Sequence, residues 1–196
     1  GGPGTRRRWF GGSCLGCSGM AGWQFWPEYQ ASRAGEASQL FETLKQAANQ
    51  NKVGETRSLV ETLKSDYPRT PYAAAGALLA ARLAADRKDW KIAGEELDWV
   101  DEHARDDGIR AVARLRQARV LWQQGKPDDA LKRIPANPET GFVSLTEELR
   151  GDIKLAQGDR AAARAAYQKA LPDAAPANRE LIQRKLDELT DVAAAS

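Results

Sequence analysis

Cys14 and Cys17 carry the most reactive side chains in the chain, and they stand in a C-x-x-C spacing. That spacing suits a redox dithiol or one half of a zinc site. A zinc site needs further ligands, and the sequence has no third cysteine. Redox motifs of this type precede a helix in a strand-containing fold, and no strand pattern occurs here. Leu15-Gly16-Cys17 has the outline of a lipoprotein cleavage site, but Cys14 falls where a large aliphatic residue belongs. The pair is read as incidental to the N-terminal segment, with a disulfide and lipidation as the alternatives. His103, the sole histidine, follows Asp101-Glu102 with no nucleophile or metal set around it. The acid pairs Glu95-Glu96, Asp128-Asp129 and Glu147-Glu148 fall at helix starts or on exposed faces, where capping and solvation account for them. No G-x-S-x-G, H-E-x-x-H, Walker or G-x-G-x-x-G pattern is present. The expectation is a non-enzymatic chain with no catalytic, metal-binding or cofactor-binding residue.

The elements that carry these residues are helices. From about Tyr29 onward the inventory is alanine, leucine, arginine, glutamate, lysine and glutamine, all good helix formers. The clearest unit is Leu149 to Leu171: Gly151 where two helices approach closely, Gly158-Asp159 as turn and cap, then Ala163, Tyr167 and Ala170 on one helix face. That order is the outline of a tetratricopeptide helix pair. Aligning on Ala163 places Ala130, Ala93 and Thr56 at the same position, while Ala118 and Ala81 take the place of Gly151. The spacings from Thr56 to Ala93 to Ala130 to Ala163 are 37, 37 and 33 residues, around the roughly 34 of this repeat. A helix pair cannot bury its apolar stripe alone, so the units must stack. The fold class is therefore all-α, with antiparallel helix pairs stacked as a TPR-like superhelical array. Ala81, Ala93, Ala118, Ala130, Gly151 and Ala163 are its structural repeat positions.

Apolar spacing and turn residues predict helices over Ser32–Asn49, Gly54–Tyr67, Tyr72–Ala85, Trp90–His103, Ile109–Gln124, Pro127–Ile134, Phe142–Gln157 and Asp159–Leu171. Asn178–Leu189 closes the array as a C-terminal capping helix. In such arrays the first helix of each pair lines an inner wall, with positions one turn apart facing the groove. That selects Leu78 and Arg82, then Leu115, Arg119 and Trp122, then Glu148, Asp152 and Leu155 as candidate partner-binding residues. Trp122 with Arg119 has the chemistry of an interaction hot spot. The alternative is that Arg119 pairs with Asp152 across adjacent helices and Trp122 belongs to the core.

The formal net charge is +2, and Arg6, Arg7 and Arg8 supply +3 of it, leaving −1 for the rest. A near-neutral body gives no reason to expect nucleic-acid binding, which needs a concentrated basic face. Those arginines precede Trp9 to Trp26, an uncharged, glycine-rich stretch ending in Trp23 and Trp26. Basic residues, an uncharged segment and interfacial tryptophans are the layout of a membrane anchor. The segment is short and less apolar than a usual span, so residues 1–28 are read as a tail with an eroded membrane-anchor remnant, a disordered tail with scattered aromatics being the alternative. Residues 29–196 are the helical-repeat domain.

From Gly22 onward, GWQFWPEYQASRAGEASQLFETL, together with Tyr67-Pro68, Thr70-Pro71-Tyr72-Ala73-Ala74 and the Leu149–Ala170 unit, resembles the ancillary SecYEG translocon subunits (YfgM-like), a TPR-like family. Trp23, Trp26, Ala37 and Pro71-Tyr72 carry most of the discrimination. The resemblance implies a single-pass protein of the bacterial inner membrane with its helical domain in the periplasm. It also implies contact with the Sec translocon and with a membrane-anchored periplasmic chaperone, acting on translocated proteins. The other readings are a soluble TPR-like adaptor assembling an unrelated complex, and an enzyme-accessory or outer-membrane assembly lipoprotein.

Overall fold

In the computed structural model the backbone is described for residues 18–194 and the side chains for residues 31–190. The described residues form nine helices and no strand: α1 (Ser18–Asn49), α2 (Val53–Asp66), α3 (Pro71–Asp86), α4 (Trp90–His103), α5 (Asp107–Gln123), α6 (Pro127–Arg133), α7 (Val143–Ala156), α8 (Arg160–Ala170) and α9 (Pro176–Ala194). Seven of the nine begin and end within two residues of the sequence-based boundaries, and α9 starts two residues before Asn178 and ends five residues after Leu189. The larger exception is α1, which starts well before Ser32, inside the stretch read as tail and anchor remnant. Low helix propensity of Gly19 and Gly22 and the presence of Pro27 hid that extension from pattern reading. No helix among the described residues is long and apolar enough to cross a membrane. Cys14 and Cys17 lie outside the described residues, as does the first half of the anchor segment.

Helix starts and stops follow directly from local sequence. Asp89, Asp106 and Asp159 each accept a hydrogen bond from the backbone N–H three residues on, capping α4, α5 and α8. Thr70 does the same for α3, with Pro71 in the first turn, where its missing N–H costs nothing. At the other end of α1, α3, α5 and α7 the chain turns through a left-handed residue: Asn51 (φ 56°), Lys88 (φ 60°), Gly125 (φ 74°) and Gly158 (φ 84°). In each case the next N–H donates to the carbonyl five residues back, Lys52 to Ala47, Asp89 to Ala84, Lys126 to Leu121 and Asp159 to Lys154. This is the Schellman stop. The left-handed residues are spaced 37, 37 and 33 along the chain, the same intervals as the small-residue positions. One register governs both the turns and the packing.

The helices associate as α1–α2, α3–α4, α5–α6 and α7–α8 pairs, and the first helices also touch in succession, α1 to α3 to α5 to α7. No single central core exists among the described residues. Apolar side chains gather in four clusters along the array: around Leu44 and Leu63, around Leu97 and Val100, around Leu149 and Ile153, and around Tyr167 and Ile182. Each unit buries its stripe between its own two helices and against its neighbours, as a stacked repeat must. Ala81, Ala93, Ala118, Ala130, Gly151 and Ala163 are all buried. At Gly151 an added Cβ would lie 2.4 Å from Tyr167 Cε1, so the α7–α8 approach depends on the absent side chain. Gly76 is a second close approach, packed on Leu63 and Leu44.

Part-buried polar clips join successive units. Lys64 of α2 donates to both carboxylate oxygens of Glu96 on α4, at 3.2 and 3.1 Å, beneath the face of Trp99. Burial raises the Glu96 carboxyl above its ordinary value, and the Lys64 ammonium offsets part of that shift. Asp98 and Asp101 of α4 engage Gln117 and Arg114 of α5 and Arg133 at the end of α6.

Candidate interaction groove

The register of the turns identifies one recurring position on the first helix of each unit: Lys45 on α1, Arg82 on α3, Arg119 on α5 and Asp152 on α7, spaced 37, 37 and 33. A further 33 residues on lies Lys185 of α9. Leu149 and Ile153 of α7 likewise correspond to Ile182 and Leu186 of α9, all four buried. The C-terminal helix therefore continues the series of first helices and covers the end of the array.

At that end the rungs neutralise each other. Lys185 Nζ donates to Asp152 Oδ1 at 2.7 Å and to Glu148 Oε1 at 2.9 Å, and Tyr167 Oη donates to Asp152 Oδ1 at 2.7 Å. Burial pulls the Lys185 ammonium down, but its hydrogen bonds to Asp152 and Glu148 outweigh this and hold it above its ordinary value. Burial first, and then the bond to Asp152, push the Tyr167 phenol far above its usual range. Of the residues selected from sequence, Glu148 and Asp152 are thus engaged by α9, and Asp152 pairs with Lys185 rather than with Arg119. Leu155 packs against the cluster around Tyr167 and Ile182.

The middle of the array is different. Between α3 and α5, with the start of α4 as its end wall, lies an open groove of ≈ 320 Å³. Its apolar lining comes from Ala81 and Ala85 of α3, Trp90 and Leu97 of α4 and Val120 of α5. Short alanine side chains leave the space. Arg82, Arg116 and Arg119 also line it, and no acidic side chain does. Arg82 lies 3.9 Å from Asp86 in a solvent-exposed pair, a separation and setting worth little. Among the described residues Arg116 and Arg119 have no ion-pair partner. The structure brings together the selected residues Arg82 and Arg119. It puts Leu78 against the cluster around Leu97, and buries Leu115 in the cluster around Leu149. Trp122 is half-buried against that same cluster, on the α7 side of α5 and away from the groove. Trp90, Arg116, Val120 and Gln123 complete the groove but were not among the sequence candidates. Arg116 was accessible to pattern reading, because it stands one turn before Arg119 on the same helix.

The sequence is matched along nearly all of the described residues. The model of the tetratricopeptide repeat-like domain family matches residues 9–191. An ancillary SecYEG translocon subunit from Neisseria gonorrhoeae is 32% identical over 178 residues, 89% of this chain and 85% of the relative. One of the same name from Aggregatibacter actinomycetemcomitans is 30% identical over 171 residues, 87% of this chain and 83% of the relative. The chain belongs to this TPR-like family of ancillary SecYEG translocon subunits. The Escherichia coli relative, again of that name, is 28% identical over 180 residues, 91% of this chain and 86% of its own length. No solved structure matches the chain. The family match starts upstream of α1 and ends within α9, so the C-terminal helix that supplies Lys185 is part of the family's domain. No group of His, Cys, Asp and Glu that could hold a metal ion occurs among the described residues.

Proposed function

We propose that the chain is a non-enzymatic interaction module of the Sec machinery, an ancillary translocon subunit that works with a membrane-anchored periplasmic chaperone on translocated proteins. In this reading it sits at the bacterial inner membrane through its N-terminal segment, with the helical domain in the periplasm. The observation that carries the reading is that relatives named ancillary SecYEG translocon subunit are similar over more than four fifths of their length. The stacked helix pairs are consistent with it, since they offer an extended exposed face along their first helices rather than an enclosed reaction chamber.

The test is purification of the full chain, affinity-tagged at its C-terminus, from membranes solubilised in mild detergent. SecYEG and a membrane-anchored periplasmic chaperone are expected in the eluate, and a protease added outside the inner membrane of spheroplasts should digest the helical domain. Recovery without SecYEG, or a helical domain protected in intact spheroplasts, overturns the proposal.

A further inference from the structure

Taking the chain as an interaction module, we propose that the groove between α3 and α5 binds an acidic segment of a protein partner, seating one aliphatic side chain between carboxylates held by Arg82, Arg116 and Arg119. The first support is charge. Three guanidinium groups line one groove with no acid among its lining residues, and two of the three are unpaired among the described residues. The second is the repeat itself. Arg82 and Arg119 occupy the same rung on neighbouring helices, and both are cations that line the groove. The next two rungs, Asp152 and Lys185, occupy that position with opposite charges in direct contact at 2.7 Å. The same position thus holds an ion pair at one junction and two cations at another. An anion supplied from outside would give those cations the partner that Asp152 gives Lys185. The third is the lining, in which the half-buried Ala85 and Trp90 present apolar surface beside the buried Ala81, Leu97 and Val120, and the two alanines leave room. A bare phosphate would use the arginines and leave that apolar surface uncovered, whereas a peptide with an aliphatic side chain between its carboxylates uses both. Guanidinium forks suit carboxylates through paired hydrogen bonds.

The experiment selects from a random peptide library displayed on phage against the immobilised full chain, then measures the affinity of the selected peptides as isolated compounds. The expected peptides are enriched in aspartate and glutamate around a leucine, isoleucine or valine. Their affinity should weaken steeply with added salt and fall by about tenfold or more in Arg119→Glu. That variant should also melt at or slightly above the wild-type temperature, higher by about 1–3 °C, because the new carboxylate would face Arg82 as Asp152 faces Lys185. Arg116→Gln combined with Arg119→Gln gives the same loss of binding without introducing a charge, should the reversal disturb folding. Selected peptides without acidic enrichment, or binding unchanged in the folded variants, overturn the proposal. So does Arg119-dependent binding to phosphatidylglycerol vesicles with no acidic peptide selected, which would make the groove a membrane contact. Co-purification of SecYEG with the wild-type chain is scored separately: if it holds while the library yields no acidic peptide, the groove assignment alone fails.

Discussion

Replacing Gly151 by alanine adds one methyl group at the tightest helix contact described in the chain. The new Cβ would stand 2.4, 2.6 and 3.0 Å from Cε1, Cδ1 and Cζ of Tyr167. Ordinary carbon contacts need about 3.5–4.0 Å, so the ring or the helix must retreat by about 1 Å. The ring has little freedom to do so, being fully buried with its hydroxyl bonded to Asp152 at 2.7 Å. Overpacking of this kind costs roughly 1–3 kcal/mol, and the rigid neighbour puts this site near the upper end. Alanine recovers about 0.5–1 kcal/mol through its better helix propensity, which leaves a net loss of about 2 kcal/mol. Thermal melts followed by circular dichroism should show a fall of roughly 4–8 °C for a chain of this size. Urea unfolding should show a lower midpoint at an unchanged slope. Gly94 in α4 is the internal control, since nothing lies within 4 Å of its added Cβ. Gly94→Ala should therefore gain about 0.5–1 kcal/mol. In a Tyr167→Leu background the cost of Gly151→Ala should shrink by about 1 kcal/mol or more, because the two sites are in contact. A neutral Gly151→Ala, or equal costs in both backgrounds, refutes the account of the α7–α8 contact.

Lys88 holds a left-handed conformation, φ 60°, at the turn where the two later units use glycine. Lys88→Gly should raise stability by about 1 kcal/mol in denaturant titration, because the Cβ penalty of that conformation is removed. Trp122→Ala should lower the melting temperature clearly, by the equivalent of about 2–3 kcal/mol, while leaving binding of acidic peptides to the α3–α5 groove unchanged. Alkaline stability should report the end of the array. The folded state raises both the Lys185 ammonium and the Tyr167 phenol. Each contribution is complete below the unfolded value, near 10 for both groups. It is lost as pH climbs from there through the higher folded value. Tyr167→Phe should flatten that decline in melts taken between about pH 9 and 11.

Helix boundaries and repeat register were legible because both rest on strictly local chemistry. The left-handed stops and the small residues at helix contacts recur at 37, 37 and 33 residues, and aspartate caps mark the starts of α4, α5 and α8. The groove was only half legible, for a reason of angles. Arg119 and Trp122 are three residues apart, which on an α-helix separates their directions by about 60°. Spacing alone places both on one broad face. The neighbours differ on its two sides, so Arg119 lines the groove shared with α3 while Trp122 packs on the cluster shared with α7. Trp90 was missed because it opens a second helix, and the wall was sought on first helices alone. The extension of α1 upstream was missed because glycine and proline outweighed the remaining residues in a propensity reading.

The repeat register runs to the end of the chain, and α9 obeys it. As an isolated amphipathic helix, α9 would cap whatever precedes it. At the repeat spacing, its Ile182 and Leu186 repeat the buried Leu149 and Ile153 of α7, and its Lys185 stands at the rung of Asp152. A cap that merely covered apolar surface would have no need to place a cation there. This one meets two acids of α7 and draws Tyr167 into the same hydrogen-bonded set, joining α7, α8 and α9 through one polar centre. That closure satisfies the acidic end of the first-helix face from within the chain. Arg82, Arg116 and Arg119 lie earlier on the same face, and no helix of the described residues brings them comparable acids. The last junction is thus sealed from within the chain by Lys185, Glu148 and Asp152, while the cations of the α3–α5 junction are left to a partner.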